Sequence, residues 1–273
     1  TVHPVTYGAE TLKGVLAKIP QLDPKEIDDV IVGCANPEGT QGWNMARLIT
    51  QMAGLPKETA AQTVNRFCSS GLQTIATAAN AVIANQCDVV VAGGVESMTR
   101  IKNMFLEPEF RNPALVAAYE EAYMAPGYTA ERVAALHHIS RTEMDELAVR
   151  SHALAAIAQD AGAFDDQIIP ITTTAPDGTT KVIDKDEGIR RGTSLDSLAQ
   201  LKPSFEGVMS REKADALGIA PIARFVGFAV AGCESELMGL GPIYAVPKVL
   251  KRTGMSLEQI DTIELNEAFA AQA

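Results

Sequence analysis

Between residues 28 and 98 the chain alternates short apolar runs with longer, Ala-rich stretches of helical period. PKEIDDVIVGCANP is a polar lead-in followed by a buried strand, roughly 28–34. Residues 42–54, GWNMARLITQMAG, have the pattern of a helix stopped at a glycine. ETAAQTV reads as a connection into a short strand, and LQTIATAANAVIANQ after Gly71 as a helix. DVVVAGG, within CDVVVAGGVESM, is a β-branched run closed by two glycines, as in a central strand of a covered sheet. Strands and helices alternating this closely imply an α/β layered domain.

The texture changes after Arg100. Residues 101–205 carry two or three amphipathic helical stretches, of which ISRTEMDELAVRSHALAAIAQ is the clearest. Ser140 is a good N-cap, and Glu143 three residues later completes a capping-box pattern. IIPITTT, the turn APDGTT and KVIDKDE then read as a hairpin. From MSREKADALGI onward the α/β texture returns, with ARFVGFAVAG as a strand, PIYAVPKVLKRTG as a helix and SLEQIDTIELNEAFAAQA after it. SLEQIDTIELNEA echoes DPKEIDDVIVGCA, which hints at two related halves. The expected organisation is therefore an N-terminal half over 1–100, an inserted region over 101–205 and a C-terminal half over 206–273.

The formal net charge of −11 disfavours general nucleic-acid binding, which needs clustered Lys and Arg. A local basic patch can still hold an anionic substrate. No run of eighteen apolar residues predicts a membrane span, and no signal peptide is visible at TVHPVTYGAETLKG. The four cysteines, Cys34, Cys68, Cys87 and Cys233, have neither CxxC spacing nor a histidine at metal-ligand distance. Their scatter suggests reduced thiols in a cytoplasmic protein without a metal.

Cys68 stands out. Buried core is the usual fate of a free cysteine and suits Cys34, Cys87 and Cys233. In VNRFCSSGLQ, however, Cys68 falls at a helix start, where orphan N–H groups and the helix dipole favour thiolate. A thiolate is a strong nucleophile for acyl transfer. Asn266 in IELNEAFAAQA reads either as a helix N-cap, the favoured reading of the residues alone, or as an amide aimed at a substrate oxygen. His3, His137, His138 and His152 lie in no strand-to-helix loop that would make one a catalytic base, although His152 could line a groove. Arg190 and Arg191 could contact phosphate, while such pairs are more often solvated. AGGVES and GLGP make no dinucleotide fingerprint, so no nicotinamide cofactor is expected.

These residues together resemble the thiolase family. VNRFCSSGLQTIATAANAVIANQCDVVVAGGVESMTR is similar to its acyl-enzyme segment, and GYTAERVA, TSLDSLAQLKPSF, REKADALGIAPIARFVGFAVAG, MGLGPIYAVPKVL and IELNEAFAAQA follow in family order. NPALVAAYEEAYMAPGYTAE is more similar to degradative 3-ketoacyl-CoA thiolases than to biosynthetic acetoacetyl-CoA thiolases. The resemblance implies a layered αβαβα fold of two similar halves with an inserted loop domain that binds CoA. It implies ping-pong thiolysis of 3-ketoacyl-CoA, as in fatty acid β-oxidation, with Cys68 carrying the acyl group and Asn266 holding a water that stabilises an oxyanion. By position, Arg190 would lie near the nucleotide, and Met124 and His152 near pantetheine. CoA enters as substrate, with no resident cofactor, and a homodimer or homotetramer is implied. The alternatives are an acetoacetyl-CoA thiolase or, were these residues the whole protein, a catalytically dead thiolase-like module. A ketoacyl synthase also uses a cysteine, but NEAFAAQA and ESMTR argue against one.

Three family features have no counterpart in the sequence. They are an RTPxG-like segment with the first strand, a glycine-rich strand-and-helix passage between Gly207 and Val208, and the later GHPxG-type and CxGGG-type loops bearing a base histidine and a second cysteine. Clean loss of a core strand would leave an unpaired, half-buried sheet edge. The expectation is thus a longer protein, of which these residues are part.

Overall fold

A computed structural model describes residues 2–101, 108–175, 177–201 and 225–273. Its residues pack as two units, Thr1–Phe110 with Ile169–Asp184, and Arg111–Ile168 with Lys185–Ala273. These do not coincide with the texture boundaries at 100/101 and 205/206. The junction of Gly207 and Val208, and the MSREKADALGI segment, lie outside the described residues.

The first unit is built on a parallel sheet of order β2-β1-β3, with β1 at Asp29–Gly33, β2 at Ala60–Val64 and β3 at Val90–Gly94. Strand β2 falls inside ETAAQTV rather than after it. Helix α1 spans Pro4–Ala17, α2 Met45–Ala53 and α3 Ser70–Ile83. His3 caps α1, its Nδ1 accepting from Val5 N at 3.3 Å. Helix α2 stops at Gly54, whose left-handed backbone (φ 82°) suits glycine. The β1–α2–β2 and β2–α3–β3 crossovers run in opposite directions along the sheet, so right-handed connections put α2 and α3 on opposite faces.

Alternation along β1 fits this arrangement. Val30 and Val32 join Val5, Leu12, Met45 and Ile49 in the core beneath α1 and α2. Gly33 faces the start of α3, where an added Cβ would stand 2.6 Å from the backbone carbon of Ser70. The antiparallel hairpin of β4 (Ile171–Thr174) and β5 (Thr180–Ile183) belongs to this unit. Ile169 at its base packs so closely on α1 that a Cβ at Gly14 would lie 2.5 Å from Ile169 Cδ1.

The second unit is mainly helical, with α4 at Pro113–Ala118, α5 at Pro126–His137, α6 at Arg141–Asp160, α7 at Leu195–Ala199 and α8 at Gly241–Thr253. The Ser140/Glu143 capping box forms as the sequence predicts. His137 ends α5, and His138 caps it in a left-handed conformation (φ 57°).

Among the described residues, two expected strands are not found. The described part of ARFVGFAVAG, from Phe225 onward, is not paired as a strand among the described residues, nor is IELNEA. A strand exists through a neighbour's hydrogen bonds. Here the Phe228 and Val230 carbonyls instead accept from Arg252 Nη1 (3.2 Å) and Lys248 Nζ (2.7 Å) on α8. Gly227 lets this segment lie against α8, where a Cβ would meet Thr253 Cγ2 at 2.6 Å. Among the described residues, no helix is long and apolar enough to cross a membrane.

Candidate active site

Cys68 lies in the loop from the C-terminal end of β2 into α3, one residue before the Ser69 N-cap. Ligands of open parallel sheets gather at this end of the strands. The loop turns sharply at Phe67, whose φ of 44° is uncommon for a residue with a side chain. Several short bonds hold that turn. Phe67 N donates to Asn65 Oδ1 at 2.7 Å. The Phe67 carbonyl accepts from Ser70 Oγ at 2.5 Å and Ser70 N at 3.0 Å. Ser70 Oγ in turn accepts from Arg66 N at 2.9 Å.

Ser70 is 4% exposed and pins the turn from beneath, while Cys68 is exposed. Sequence reading missed this positioning role of Ser70. The only signal was the second serine after the cysteine. The first-turn amides of α3, beyond reach of any intrahelical carbonyl, lie at the same end as Cys68.

The other thiols are held back. Burial, followed by the Glu96 charge, pushes Cys34 up to about 11. Burial and then Asp28, Asp29 and Asp88 raise Cys87. Burial and then Glu234 raise Cys233. Cys68 is the one free cysteine of the four that is exposed.

The remaining candidates all lie in the second unit, where helix α6 carries His152 and is tied to the Arg190 loop and to the residue after Asn266. His152 Nδ1 accepts from Arg190 N at 3.3 Å, so these two predicted residues are brought together. The same loop is tied further along α6. Gln159 Nε2 donates to the Asp186 carbonyl at 3.1 Å, and Arg191 pairs with Asp160 at 2.8 Å. The Arg191 hydrogen bond holds the Asp160 carboxyl below its usual range. The two arginines, both exposed, thus differ in their contacts: the Arg191 side chain pairs with Asp160, whereas Arg190 meets His152 through its backbone N–H. Met124, half-buried, caps the short turn Glu120–Tyr123.

Asn266 is exposed, and residues 267–273 hold no helix for it to cap. Its carbonyl accepts from Gln272 Nε2 at 3.5 Å. The next residue, Glu267, accepts from Ser151 Oγ on α6 at 2.6 Å. Ala270 and Ala271 pack on Ala134 and Met144. Met144 and Ser151 are seven residues apart and share one face of α6. That face carries the Asn266 segment, and the neighbouring His152 carries the Arg190 loop. Among the described residues, no cluster of His, Cys, Asp and Glu could hold a metal.

Comparison with known proteins places the chain in a family. Residues 2–214 match the N-terminal domain of thiolases and residues 219–273 the C-terminal domain. A 3-ketoacyl-CoA thiolase of Bacillus subtilis (strain 168) is 43% identical over 303 aligned positions, covering 100% of this chain and 76% of that protein. The aligned span exceeds the 273 residues of this chain, the excess being positions the relative has and this chain lacks. A 3-ketoacyl-CoA thiolase of Marinobacter nauticus is 41% identical, covering 100% of this chain and 74% of its own. The crystal structure of the Bacillus anthracis acetyl-CoA acetyltransferase superposes with a TM-score of 0.82 at 35% identity, covering 100% of this chain and 76% of that one. A strand-to-helix turn that exposes a single cysteine, and matches to both thiolase domains across nearly the whole sequence, make this chain a member of the thiolase family.

Proposed function

We propose that the protein is an acyltransferase that cleaves 3-ketoacyl-CoA with CoA, the chemistry of fatty acid β-oxidation. The observation that carries this reading is the exposed Cys68, pinned at the C-terminal end of a parallel sheet while the other thiols are withheld. The Cys68 thiolate attacks the 3-keto carbonyl carbon. The bond between carbons 2 and 3 then breaks, acetyl-CoA departs once its carbon 2 is protonated, and the shortened acyl group stays on sulfur. A second CoA thiolate attacks that thioester, releasing the shortened acyl-CoA and returning Cys68. By family resemblance, Asn266 holds a water that stabilises the oxyanion, Arg190 meets the CoA nucleotide, and His152 and Met124 flank pantetheine. The proton on carbon 2 needs an acid–base group, which the resemblance puts on loops that this sequence does not contain. CoA is a substrate, and no resident cofactor takes part. The same resemblance supports a homodimer or homotetramer, and the scattered free cysteines support a cytoplasmic compartment.

A second reading, acetoacetyl-CoA thiolysis, is favoured by the fold match to an acetyl-CoA acetyltransferase. Steady-state thiolysis of long-chain 3-ketoacyl-CoA and of acetoacetyl-CoA separates the two. The first reading expects the larger kcat/KM on the long substrate and loss of both activities in C68A. A preference for the four-carbon substrate establishes the second.

A further inference from the structure

We infer that Glu96 is a positioning residue for Cys68, clamping together the two strand ends on which the Cys68 turn is seated. This rests on the reading of Cys68 as the acyl acceptor.

Three donors from the loop after β1 converge on the Glu96 carboxylate. Oε2 accepts from Ala35 N at 2.7 Å. Oε1 accepts from Gln41 Nε2 at 2.7 Å and Asn36 Nδ2 at 3.3 Å. Gln41 is fully buried and completes the crosslink. Its Nε2 also donates to the Asn36 carbonyl at 2.8 Å, and its Oε1 accepts from Ser97 N. Tyr7 OH on α1 donates to the Glu96 carbonyl at 2.7 Å. The loops after β1 and β3 are thereby fastened to each other and to α1, about sixty residues apart in sequence.

The crosslink begins just beyond the glycines that touch α3. The Gly33 position closes on Ser70 and Gly71, and the Gly94 position on the Gly33 carbonyl and Gly71 Cα. Val95 N donates to the Gly33 carbonyl at 2.9 Å. Thr74 Oγ1 ties α3 to the Gly93 carbonyl at 3.1 Å. Separation of the two strand ends would therefore move the seat of Ser70, the residue that pins the Cys68 turn.

The carboxylate is chemically required. A glutamine at 96 would present an NH2 either to the Ala35 amide or to the Asn36 and Gln41 amides, donor against donor. Gln41 cannot flip to compensate without abandoning Ser97 N. An aspartate keeps an acceptor-only group with a shorter reach.

The test is acylation of the purified protein by acetyl-CoA, followed by mass spectrometry of the Cys68 peptide as a function of acetyl-CoA concentration. The variants are E96Q, E96D and, as a core control on the opposite face of the sheet, I49V, all assayed well below their unfolding temperatures. A misplaced nucleophile lowers the saturating rate. E96Q is expected to lower that rate about tenfold or more, with the half-saturating concentration unchanged, because the proposed CoA residues lie in the other unit. E96D is expected to recover part of the loss, and I49V to acylate like wild type. Acylated wild type with an equally fast E96Q would overturn the inference alone. Slowing of E96Q and I49V in proportion to lost stability would also overturn it, as a purely structural effect. A wild-type Cys68 that stays unmodified would overturn the reading of Cys68, and this inference with it.

Discussion

The sequence expects a similar strand motif in two regions, and the structure builds it in one. Residues 28–95 put DVIVG, AAQTV and VVAGG into register as three parallel strands. Residues 225–231 and 262–266 also carry β-branched residues, yet among the described residues they pair with no neighbouring strand. The difference is one of partners, since a strand is a property of a pair. In the first region each β-branched run has a neighbour and a covering helix. In the second, along 225–231, lysine and arginine side chains of α8 take the Val230 and Phe228 carbonyls that a neighbouring strand would otherwise take.

The largest effect should come where the paired region supports the Cys68 turn. G33A puts a Cβ 2.6 Å from a backbone carbon of Ser70 and 2.9 Å from Gly71 N. Neither atom can swing aside as a side chain would. We expect a loss of about 3 kcal/mol in chemical denaturation, with Cys68 acylation by acetyl-CoA falling more steeply than stability. Normal acylation in G33A would separate the turn from its seat.

A matched pair then compares the two regions directly. Ile31 is 1% exposed and Val226 is 55% exposed. I31A should cost about 3 kcal/mol and V226A less than about 0.5 kcal/mol, both read from urea midpoints. Equal costs would contradict the contrast, as would equal hydrogen-exchange protection of the β1 and 226–230 amides.

Much of the first region was legible because its signals are local. The Gly54 stop and the glycine-closed run at 90–94 each need only a few neighbouring residues, as does the Ser140/Glu143 box outside that region. The helix start behind Cys68 was legible for the same reason. What escaped depends on distant partners or on rare backbone geometry. Glu96 meets donors sixty residues away, the Phe67 φ has no sequence signature, and Ser70 pins a turn whose shape only coordinates reveal. Asn266 looked like a cap because AFAAQA is helix-like in composition, whereas Ala270 and Ala271 instead turn inward onto Ala134 and Met144. The Arg190–His152 contact was likewise not local, although both residues had been singled out.

A smaller effect tests the second region's own order. S151A removes the bond to Glu267 that fixes the Asn266 segment on α6. It should cost about 1 kcal/mol and lower kcat more than it raises KM for CoA. An effect on KM alone would place Ser151 with the Arg190 loop instead.

The smallest effect is a pH dependence in the paired region. Burial raises Cys34 from an ordinary thiol value of 9.0 to about 11, so the folded state keeps that proton longer than the unfolded chain does. Its contribution is full below the unfolded value and is lost as pH rises through about 11. Thermal unfolding midpoints should fall across that window and fall less in C34A. An unchanged slope in C34A would assign the alkaline loss elsewhere.

The most direct measurement is the intact mass of the protein before and after brief exposure to acetyl-CoA, with C68A alongside. The account predicts one acetyl adduct, mapped to Cys68 and absent from C68A. No adduct on wild type, or one that persists in C68A, would contradict it.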